Sequence, residues 1–390
     1  MSKKPKIGID CLSAVPGKGP GTWVVAKNLL EEITRLDTES QYFIFLNSLA
    51  AADFHLERPN VRLVKASLLR RSIGLRLGYQ NVVLPLLARF HGLDLLHSLG
   101  NYGPLRPLTR SVVTVHDLIP LIAHASGPGR RMRFRAATLD FLMEQSLRRA
   151  DRIAVDSDFT GRQLVAHYPF VAAKIRVIYC GLPRRETPSE SETRNVLDRH
   201  GVRKPYLLAV GLYFPHKNIE RLVQAFARLN QGAAIPHQLV LVGEPGANRV
   251  SLHAAVAQAA VKDCVVFTGF VSDAEVAALY SAAELFVMPS LMEGFGFPVL
   301  EAMASGIPVV CANAGSLPEV AGDAAVLFDP TDVQDMARAI REVLESPALR
   351  ERLIACGLKR AQRFSFRRMA EETLELYEEI VREKRRRDRE

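Results

Sequence analysis

The stretch LFVMPSLMEGFGFPVLE, residues 285–301, decides which fold the chain adopts. Its first four residues, Leu285–Met288, are all apolar, as is typical of a strand buried on both faces of a parallel sheet. Pro289 and Ser290 end that strand. Pro298 suits the first turn of a helix, where its missing N–H group costs no hydrogen bond. The stretch therefore predicts a buried strand, a loop and a helix.

The loop of this stretch also suggests a ligand site. Gly294 and Gly296 allow a close approach to a ligand and a positive φ, and the helix start offers N–H donors and a partial positive charge to a phosphate. Glu293 precedes the turn, and Glu301 lies about one turn inside the helix. Carboxylates would repel a phosphate but accept hydrogen bonds from hydroxyls, so a sugar joined to a phosphate fits better. A helix whose dipole favours acidic residues is the alternative.

Short apolar strands alternate with helical patterns along the whole chain, and they form two series. We predict the first series at Ile7–Asp10, Tyr42–Leu46, Val61–Lys65, Leu93–His97, Val112–Val115, Ile153–Asp156 and Ile175–Ile178. We predict the second at Tyr206–Val210, Leu239–Val242, Val265–Phe267, Leu285–Met288, Pro308–Cys311 and Ala325–Phe328. Strand–helix–strand order implies parallel sheets with right-handed crossovers. The predicted fold class is therefore α/β, with two doubly wound domains.

Length and composition agree with two domains. The chain of 390 residues is too long for one ordinary core, and 48% hydrophobic and 24% charged residues are typical of a soluble globular protein. The polar stretch Arg184–Thr193, which contains Pro and Ser, is the best candidate for a linker. Farther along, Ser272–Glu275 and Ser316–Glu319 have the pattern of capping boxes that open helices.

The sequence predicts a protein of the reducing cytoplasm. No run of 18 or more apolar residues occurs, so no spanning helix is expected. Residues Met1–Lys6 lead directly into a strand pattern and lack the apolar segment of a secretory signal. The five cysteines are far apart, with neither metal-ligand spacing nor a disulfide framework. We expect no metal site.

The net charge of +9 predicts an attraction to anions, among them nucleotides, nucleic acid and acidic membranes. One basic cluster flanks the apolar run Val82–Leu87, and another follows a Gly-Pro-Gly turn; their members are Arg70, Arg71, Arg76 and Arg89, and Arg130, Arg131, Arg133 and Arg135. Basic residues beside apolar ones are typical of an interfacial membrane surface. A solvated basic face is the alternative, and we interpret Lys384–Arg387 as a solvated end.

Two motifs in the first half follow predicted strands. The glycine loop GKGPGT, residues 17–22, precedes a helical pattern that starts at Trp23, which is where doubly wound sheets bind ligands. Its spacing matches neither a dinucleotide fingerprint nor a P-loop, and a plain turn is the alternative. His116 lies just beyond Val112–Val115, where Asp117 or a backbone group could fix its tautomer. A structural histidine is the alternative there.

A third motif, GLYFPHKN at residues 211–218, follows the first strand of the second series. Asn218 could cap the next helix, which would put Lys217 beside a helix N-terminus, a favourable place for a diphosphate. A surface lysine is the alternative. Asp156 and Asp158 could be a metal-binding pair, but we favour an interpretation in which Ser157 or Asp158 caps the following helix.

Together these motifs resemble those of the family 4 retaining glycosyltransferases, which have the two-domain GT-B fold. The resemblance covers nearly the whole chain and is most specific at Glu293–Glu301, which resembles the Glu-x7-Glu motif of that family. The other matching segments are EAMASGIPVV (301–310), GSLPEV (315–320), SDFT (157–160) and VHDLIP (115–120), the last of which resembles a segment of many bacterial mannosyltransferases. The resemblance implies two Rossmann-like domains facing each other across a cleft.

The resemblance also implies roles for the site residues. Lys217 would neutralise the diphosphate of a nucleotide sugar, Glu293 would contact the sugar hydroxyls, and Glu301 would contact the ribose. His116 would contact the transferred sugar near the reacting carbon, so the expected catalytic residues are His116, Lys217 and Glu293. The other expected donor-binding residues, which include the loop that would hold the base, are Gly19, Gly21, Gly211, Gly269, Phe270, Val271, Gly294, Phe295 and Gly296.

The resemblance further implies the domain bounds. We expect an N-terminal acceptor domain at 1–183, a linker at 184–204, a C-terminal nucleotide-sugar domain at 205–365 and a last helix at 366–390 that crosses back to the first domain. The chain departs from the family at Leu212 and Thr22, where many members carry arginine. The diphosphate is therefore expected to depend more on Lys217 and on helix N-termini.

We thus expect a retaining hexosyltransferase that needs no metal or other cofactor. It would move a hexose, with mannose from GDP-mannose favoured, to a glycan or lipid-linked glycan in surface polysaccharide or lipopolysaccharide synthesis. Its expected place is the cytoplasm, at the inner face of the cell membrane if the basic segments touch anionic lipid. A nucleotide-sugar epimerase or hydrolase of the same fold stays open, as does a nucleic-acid-binding protein. The single Trp argues against nucleic acid.

Overall fold

The computed structural model describes residues 4–15, 20–66, 73–119, 121–122, 130–183, 185–231, 235–244 and 249–387. Gly19, Arg70 and Arg71, and the side chains of Arg130 and Arg131, lie outside the described residues. The chain divides into two compact units. The first unit is Met1–Pro183 with Phe364–Glu390, and the second is Arg184–Arg363.

Each unit contains one sheet in which all neighbouring strands are parallel. The first sheet has the order β3-β2-β1-β4-β5-β6-β7, and the second has the order β10-β9-β8-β11-β12-β13. The strands of the first sheet are β1 (Lys6–Cys11), β2 (Gln41–Asn47), β3 (Val61–Ala66), β4 (Leu95–Ser98), β5 (Arg110–Val115), β6 (Arg152–Val155) and β7 (Ile175–Val177). Those of the second are β8 (Tyr206–Val210), β9 (Gln238–Val242), β10 (Val265–Gly269), β11 (Leu285–Met288), β12 (Val309–Ala312) and β13 (Ala325–Phe328).

Helices connect the strands. In chain order the described helices are α1 (Pro20–Leu36), α2 (Ala50–Asp53), α3 (Ile73–Gly78), α4 (Leu84–His91), α5 (Arg130–Arg149), α6 (Asp158–His167), α7 (Glu190–His200), α8 (Ile219–Leu229), α9 (Arg249–Gln258), α10 (Asp273–Ala282), α11 (Phe297–Ala304), α12 (Leu317–Ala321), α13 (Val333–Glu345), α14 (Pro347–Ala361) and α15 (Phe366–Arg387). A π-helical segment, Tyr79–Val83, joins α3 to α4, and short 3₁₀ turns occupy Pro169–Lys174, Pro215–Lys217 and Lys262–Cys264.

The thirteen predicted strands are confirmed, each with ends that differ by at most two residues from the prediction. The central strands β8, β9 and β11 are buried almost throughout, because helices cover both faces of a parallel sheet. The strand order of the second sheet reverses between β8 and β11. Loops that follow these two strands diverge there, which makes this edge the usual place for a ligand in a doubly wound sheet.

Part of the predicted linker is a helix. Residues 190–200 form α7, which Ser189 opens with a complete capping box: its hydroxyl accepts from the N–H of Glu192, whose carboxylate accepts from the N–H of Ser189. The pattern Ser-x-x-Glu was present in the polar stretch, and the cap that it forms outweighs the low apolar content of the segment. Gly201, with a φ of 64°, ends the helix.

Two of the predicted helix caps are confirmed. Ser272 forms a capping box with Glu275 at the start of α10, and the Ser157 hydroxyl accepts a hydrogen bond from the N–H of Thr160 at the start of α6. The second result agrees with the interpretation of the Asp156–Asp158 segment as the start of a helix. The capping residues were recognisable because each bond closes within three residues along the chain.

Two other predicted caps are wrong. The Asn218 amide does not cap α8; it donates to the carbonyls of Pro289 (3.0 Å) and Pro330 (2.7 Å). The Ser316 hydroxyl likewise does not cap α12 and donates to the carbonyls of Glu293 (3.1 Å) and Phe295 (2.8 Å). In both cases a buried carbonyl, distant in sequence, competes for the donor, because a buried carbonyl without a partner is costly.

The described residues contain no helix that is long and apolar enough to cross a membrane. They also contain no group of three or more His, Cys, Asp or Glu side chains that could hold a metal ion. All five cysteines lie within the described ranges, and each is a free thiol.

The last helix, α15, belongs to the first unit and packs on α1 and β4. Its Tyr377 hydroxyl lies 2.6 Å from Nδ1 of the buried His97, whose Nε2 lies 2.7 Å from the hydroxyl of Thr114. Burial lowers the pKa of His97 to about 3, so its ring is neutral at pH 7. Near the end of the helix, Lys384 donates to the carboxylate of Asp94 at 2.8 Å. The helix therefore completes the first unit through buried polar contacts as well as apolar packing.

We predict that Tyr377→Phe lowers the free energy of unfolding of the first unit by about 1–3 kcal/mol, because the buried Nδ1 of His97 loses its partner. Urea unfolding followed by hydrogen exchange of β4 amides measures this change. Tyr179→Phe is the matched control, since its hydroxyl makes an exposed 3.3 Å bond to Asp158. Equal effects of the two substitutions would contradict the assignment of a buried His97–Tyr377 bond.

Candidate active site

The turn that opens α11 has the predicted geometry at one of its two glycines. Gly296 is the N-cap residue with a φ of 100°, and Pro298 lies in the first turn of the helix. The positive φ favours glycine there, and a Cβ atom at position 296 would come within 2.8 Å of the Leu317 side chain, which would have to shift. Gly294, in contrast, does not take a positive φ.

Glu293 is fixed by its side chain and its backbone. Its Oε1 accepts a hydrogen bond from Nζ of Lys217 at 2.6 Å, and the two side chains are only 10% and 17% exposed. Its carbonyl accepts from both the N–H and the hydroxyl of Ser316, at 3.2 and 3.1 Å. Gly315 approaches so closely that a Cβ there would lie 2.7 Å from the Glu293 nitrogen. The structure thus brings together two of the predicted catalytic residues.

Lys217 stands at the end of the 3₁₀ turn Pro215–Lys217, directly before α8. Asn218 takes a left-handed φ of 59°, which turns the chain into the helix. The carbonyl of His216 accepts from the N–H of Leu291 at 2.7 Å, so the loops after β8 and β11 are joined. The lysine side chain passes over Gly211, where a Cβ would lie 3.9 Å from Nζ. Lys217 is therefore held in place by both loops.

A small cavity borders Gly211 and Lys217, and Ser290 is part of its wall. Ser290 is fully buried, and its hydroxyl has no hydrogen-bond partner among the described residues. A buried polar group without a partner costs about 1–3 kcal/mol, which a ligand oxygen or a water would relieve. From its place in the sequence, Ser290 was predicted only to end a strand. Its signal was a polar residue at the carboxyl edge of a buried parallel strand.

Glu301 makes an ion pair that the sequence did not predict. Its Oε1 accepts from Nη2 of Arg185 at 2.6 Å, and its Oε2 accepts from the hydroxyl of Tyr280 at 3.2 Å. Arg185 also donates to the carbonyl of Asp273 at 3.3 Å, at the start of α10. This arginine therefore connects the expected ribose carboxylate with the helix that follows the loop Gly269–Val271. It was missed because it lies in the polar stretch that was interpreted as a linker.

The loop expected to hold the base presents an aromatic side chain. Gly269 ends β10 with a φ of 70°, and its carbonyl accepts from the N–H of Gly243 at 3.0 Å. Phe270 is 80% exposed, whereas Val271 is buried. The contact of this loop with a base stays a prediction.

The glycine loop of the first unit is described only from Pro20 onward. Gly21 and Thr22 lie in the first turn of α1, which begins three residues before the predicted Trp23. Gly21 is exposed, and a Cβ there would meet no atom within 4 Å. Packing therefore does not require glycine at this position, and its contact with a ligand stays a prediction, as does that of Gly19.

His116 follows β5, and its ring is oriented by Asp156, which follows the neighbouring strand β6. Nδ1 of His116 lies 2.6 Å from Oδ2 of Asp156. The sequence suggested Asp117 or a backbone group as the partner of the ring; the carbonyl of Leu99 lies 3.5 Å from Nε2, and the Asp117 carboxylate accepts from the N–H of Ile119 at 2.9 Å. The N–H of His116 donates to the Asn101 side chain at 2.9 Å, so the backbone is held as well.

The charge of His116 follows from these neighbours. Burial alone would lower the pKa of its ring, but the charge and hydrogen bond of Asp156, the charge of Asp117 and the carbonyl of Leu99 raise that pKa to about 9. At pH 7 the ring is therefore an imidazolium whose Nδ1–H donates to Asp156. In this form it offers a positive charge at the carboxyl edge of the first sheet.

We predict that Asp156→Asn lowers the pKa of His116 below about 7, because the carboxylate charge is lost and burial then dominates. NMR titration of the His116 ring, assigned with His116→Gln, measures this pKa. In the native protein the folded pKa of about 9 exceeds the unfolded value of about 6.5. The contribution of His116 to stability is therefore complete below about pH 6.5 and is lost as the pH rises through about 9.

Asp158→Asn is the control for this titration, since Asp158 lies two residues farther along and its carboxylate bonds Tyr179. The control is expected to leave the His116 titration unchanged. An unchanged titration in Asp156→Asn would show that Asp156 does not hold the ring in its charged form.

We further predict opposite outcomes for two fully buried serines of the site. Ser316→Ala removes a donor to two carbonyls and is expected to lower the free energy of unfolding by about 1–3 kcal/mol. Ser290→Ala removes a hydroxyl that has no protein partner, so it is expected to leave that free energy unchanged or to raise it by up to about 1 kcal/mol. Chemical unfolding of the ligand-free protein compares them. An equal loss in both variants would show that the Ser290 hydroxyl is paired.

The sequence matches the model "Glycosyltransferase Family 4" over residues 20–186 and the model "Glycosyl transferases group 1" over residues 194–360. It is 33% identical over 283 residues to the O-antigen chain mannosyltransferase B of Escherichia coli, a match that covers 72% of this chain and 73% of that protein. It is 28% identical over 277 residues to the serotype-specific mannosyltransferase WbdA of Escherichia coli, covering 70% of this chain and 34% of WbdA.

The structure resembles that of a sucrose-phosphate synthase from Thermosynechococcus elongatus. The TM-score is 0.73 at 22% identity, and the match covers 97% of this chain and 99% of the other. At that identity the likeness establishes the fold, which is two Rossmann-like domains of the GT-B type. With both halves matched by family models, we conclude that the chain belongs to glycosyltransferase family 4.

Proposed function

We propose that the chain is a retaining mannosyltransferase, with GDP-mannose as donor and a glycan or lipid-linked glycan of a surface polysaccharide as acceptor. The observation that carries the proposal is the buried pair of Lys217 and Glu293 beside the start of α11. It sets a cation for a diphosphate next to a carboxylate for sugar hydroxyls. Mannose and the surface polysaccharide are suggested by the names of the relatives in Escherichia coli.

In the proposed reaction, the bond between C1 of the sugar and the phosphate oxygen breaks, and its electron pair leaves with the nucleoside diphosphate. The acceptor oxygen forms its bond to C1 on the same face of the ring, and its proton goes to the departing phosphate. Lys217 and the backbone N–H groups at the start of α11 stabilise the charge that develops on the diphosphate. We propose that these groups suffice without a metal ion.

The two carboxylates of the site would change partners when the donor binds. As the diphosphate takes up Lys217, the Glu293 carboxylate becomes available to the sugar hydroxyls. Glu301 can accept a ribose hydroxyl and still hold Arg185, because a carboxylate has about four acceptor positions. His116 is the proposed contact of the transferred sugar, and as an imidazolium it donates hydrogen bonds rather than accepting them.

The epimerase or hydrolase alternative is not favoured, because the reported relatives are transferases. An assay without acceptor distinguishes the classes, since an epimerase or hydrolase consumes the donor alone. We propose that the protein acts in the cytoplasm, touches an anionic membrane peripherally and has no nucleic-acid partner.

We predict that Glu293→Gln reduces mannose transfer by about 100-fold or more, whereas GDP alone binds at least as tightly as to the native protein. The reason is that Lys217 loses a competing carboxylate while the sugar loses its acceptor. Calorimetric titration with GDP and with GDP-mannose, together with a transfer assay, measures both effects. Glu351→Gln, an exposed substitution on α14, is the matched control.

The double variant Lys217→Gln with Glu293→Gln controls for unfolding. It removes both charges of the pair, so neither charge is left without its partner. It is expected to lose GDP binding as well as transfer. A native protein whose melting temperature rises with UDP, ADP or dTDP sugars but not with GDP-mannose would refute the proposed donor. Unchanged transfer by Glu293→Gln would refute the proposed site.

A further inference from the structure

The net positive charge of the chain comes from one segment. Residues 58–139 contain thirteen Lys and Arg but only two acidic residues, Asp94 and Asp117, for a net charge of +11. The remainder of the chain has 38 basic and 40 acidic residues, for a net charge of −2, and the total is +9. Both acidic side chains of the segment are engaged in the structure, Asp94 by Lys384 and Asp117 by the N–H of Ile119. The segment is therefore strongly cationic.

The same segment holds all but one of the large apolar side chains that the first unit exposes in its described part. Those inside it are Leu75, Val82, Val83, Leu86, Phe90, Leu108, Ile122 and Phe134, and the one outside, Phe141, lies two residues beyond its end. Phe90 is 82% exposed and Phe134 76%. Leu86 and Phe90 are four residues apart on α4, so they lie on one side of that helix, and Val82 lies in the π-helical segment before it. Exposure of so many large side chains in one segment marks an interaction surface.

The helices that carry these side chains cover the same face of the first sheet. Leu96 of β4 and Leu84 of α4 belong to one apolar cluster, and Val113 of β5 and Met143 of α5 belong to another. Val113 pairs in register with Ser98, which is two residues beyond Leu96 and so points to the same face.

The loop after β4 connects the two helices. The Asn81 side chain, between α3 and α4, accepts from the N–H of Leu105 at 2.8 Å. The N–H of Gly103 donates to the Ser146 hydroxyl of α5 at 2.7 Å. We call the exposed surface of α3, α4 and α5, with Leu75, Leu86, Phe90, Phe134 and Phe141, the apolar-basic face.

Several arginine side chains at this face have no acidic partner among the described residues. Arg89, Arg106, Arg133 and Arg135 are exposed, and within the described residues none of them forms an ion pair. Their counter-charge must come from a binding partner or from salt. Exposed Phe and Leu beside unpaired Arg match an anionic bilayer surface, where rings and aliphatic chains enter the acyl boundary and the arginines meet the headgroups.

We propose that the apolar-basic face docks this protein on an anionic lipid bilayer. A second copy of the chain is a poor partner, because two faces of the same strong positive charge repel each other. Nucleic acid is a poorer partner than lipid, because Leu75, Val82 and Leu86 have no ring with which to stack on bases. The biological purpose of docking rests on the proposed function, in which a lipid-linked glycan is the acceptor.

Sedimentation with vesicles tests the proposal in the absence of donor and acceptor, so docking and transfer can fail separately. The native protein is expected to bind phosphatidylcholine vesicles that contain about one third phosphatidylglycerol, and to bind pure phosphatidylcholine at least about tenfold more weakly. The double variant Phe90→Ser with Phe134→Ser is expected to lower binding to the anionic vesicles by about tenfold or more. Arg89→Glu with Arg133→Glu is expected to do the same.

Val250→Ser is the matched control, since Val250 is 83% exposed but lies in the second unit. It is expected to bind vesicles like the native protein, and thermal unfolding verifies that every variant is folded. Equal binding to both kinds of vesicle, or equal loss in the control and the Phe variant, would overturn the proposal. Binding to a single-stranded oligonucleotide that competes with the vesicles and depends on the same Phe residues would overturn it in favour of nucleic acid.

Discussion

A buried pair of opposite charges, Lys217 and Glu293, constrains the ligand-facing edge of the second unit. Removing one partner of a largely buried ion pair leaves the other charge uncompensated, so this pair links the loops after β8 and β11. Sheet order makes this possible, since β8 and β11 are neighbours at the point where the order reverses. The Ser316 hydroxyl donates to the Glu293 carbonyl, and Gly315 packs closely against the Glu293 backbone. Gly315, Ser316 and the turn at Asn218 thus all help to position this ion pair.

Two histidines of the first sheet show how far the surroundings, rather than the residue type, set the charge. His97 is enclosed by two hydroxyl groups, and burial holds its pKa at about 3. His116 is only partly buried, and the Asp156 carboxylate raises its pKa to about 9. At pH 7 one ring is a neutral part of the core and the other is a cation at the sheet edge. Residue type alone does not distinguish the two, and only the second suits contact with an electron-rich substrate.

The fold was predictable because its signals are local. Strands buried on both faces leave uninterrupted apolar runs such as Leu285–Met288, and caps such as that at Ser272 close within three residues. Side chains whose partners lie far away in sequence were not predictable. Arg185 meets Glu301, and Asp156 meets His116, across separations of 116 and 40 residues. Nothing in the neighbourhood of either residue specifies that partner, so composition suggested a linker for one and a helix start for the other.

The return of α15 to the first unit has a consequence for how the protein is made. The second unit is one uninterrupted segment, whereas the first needs residues from both ends of the chain. During synthesis the ribosome releases everything for the second unit before Tyr377 emerges to cover His97. The unit begun first is thus finished last, and until then β4 lacks its covering helix. Nascent chains are therefore most in need of a chaperone at their N-terminal half, although that half has been outside the ribosome longest.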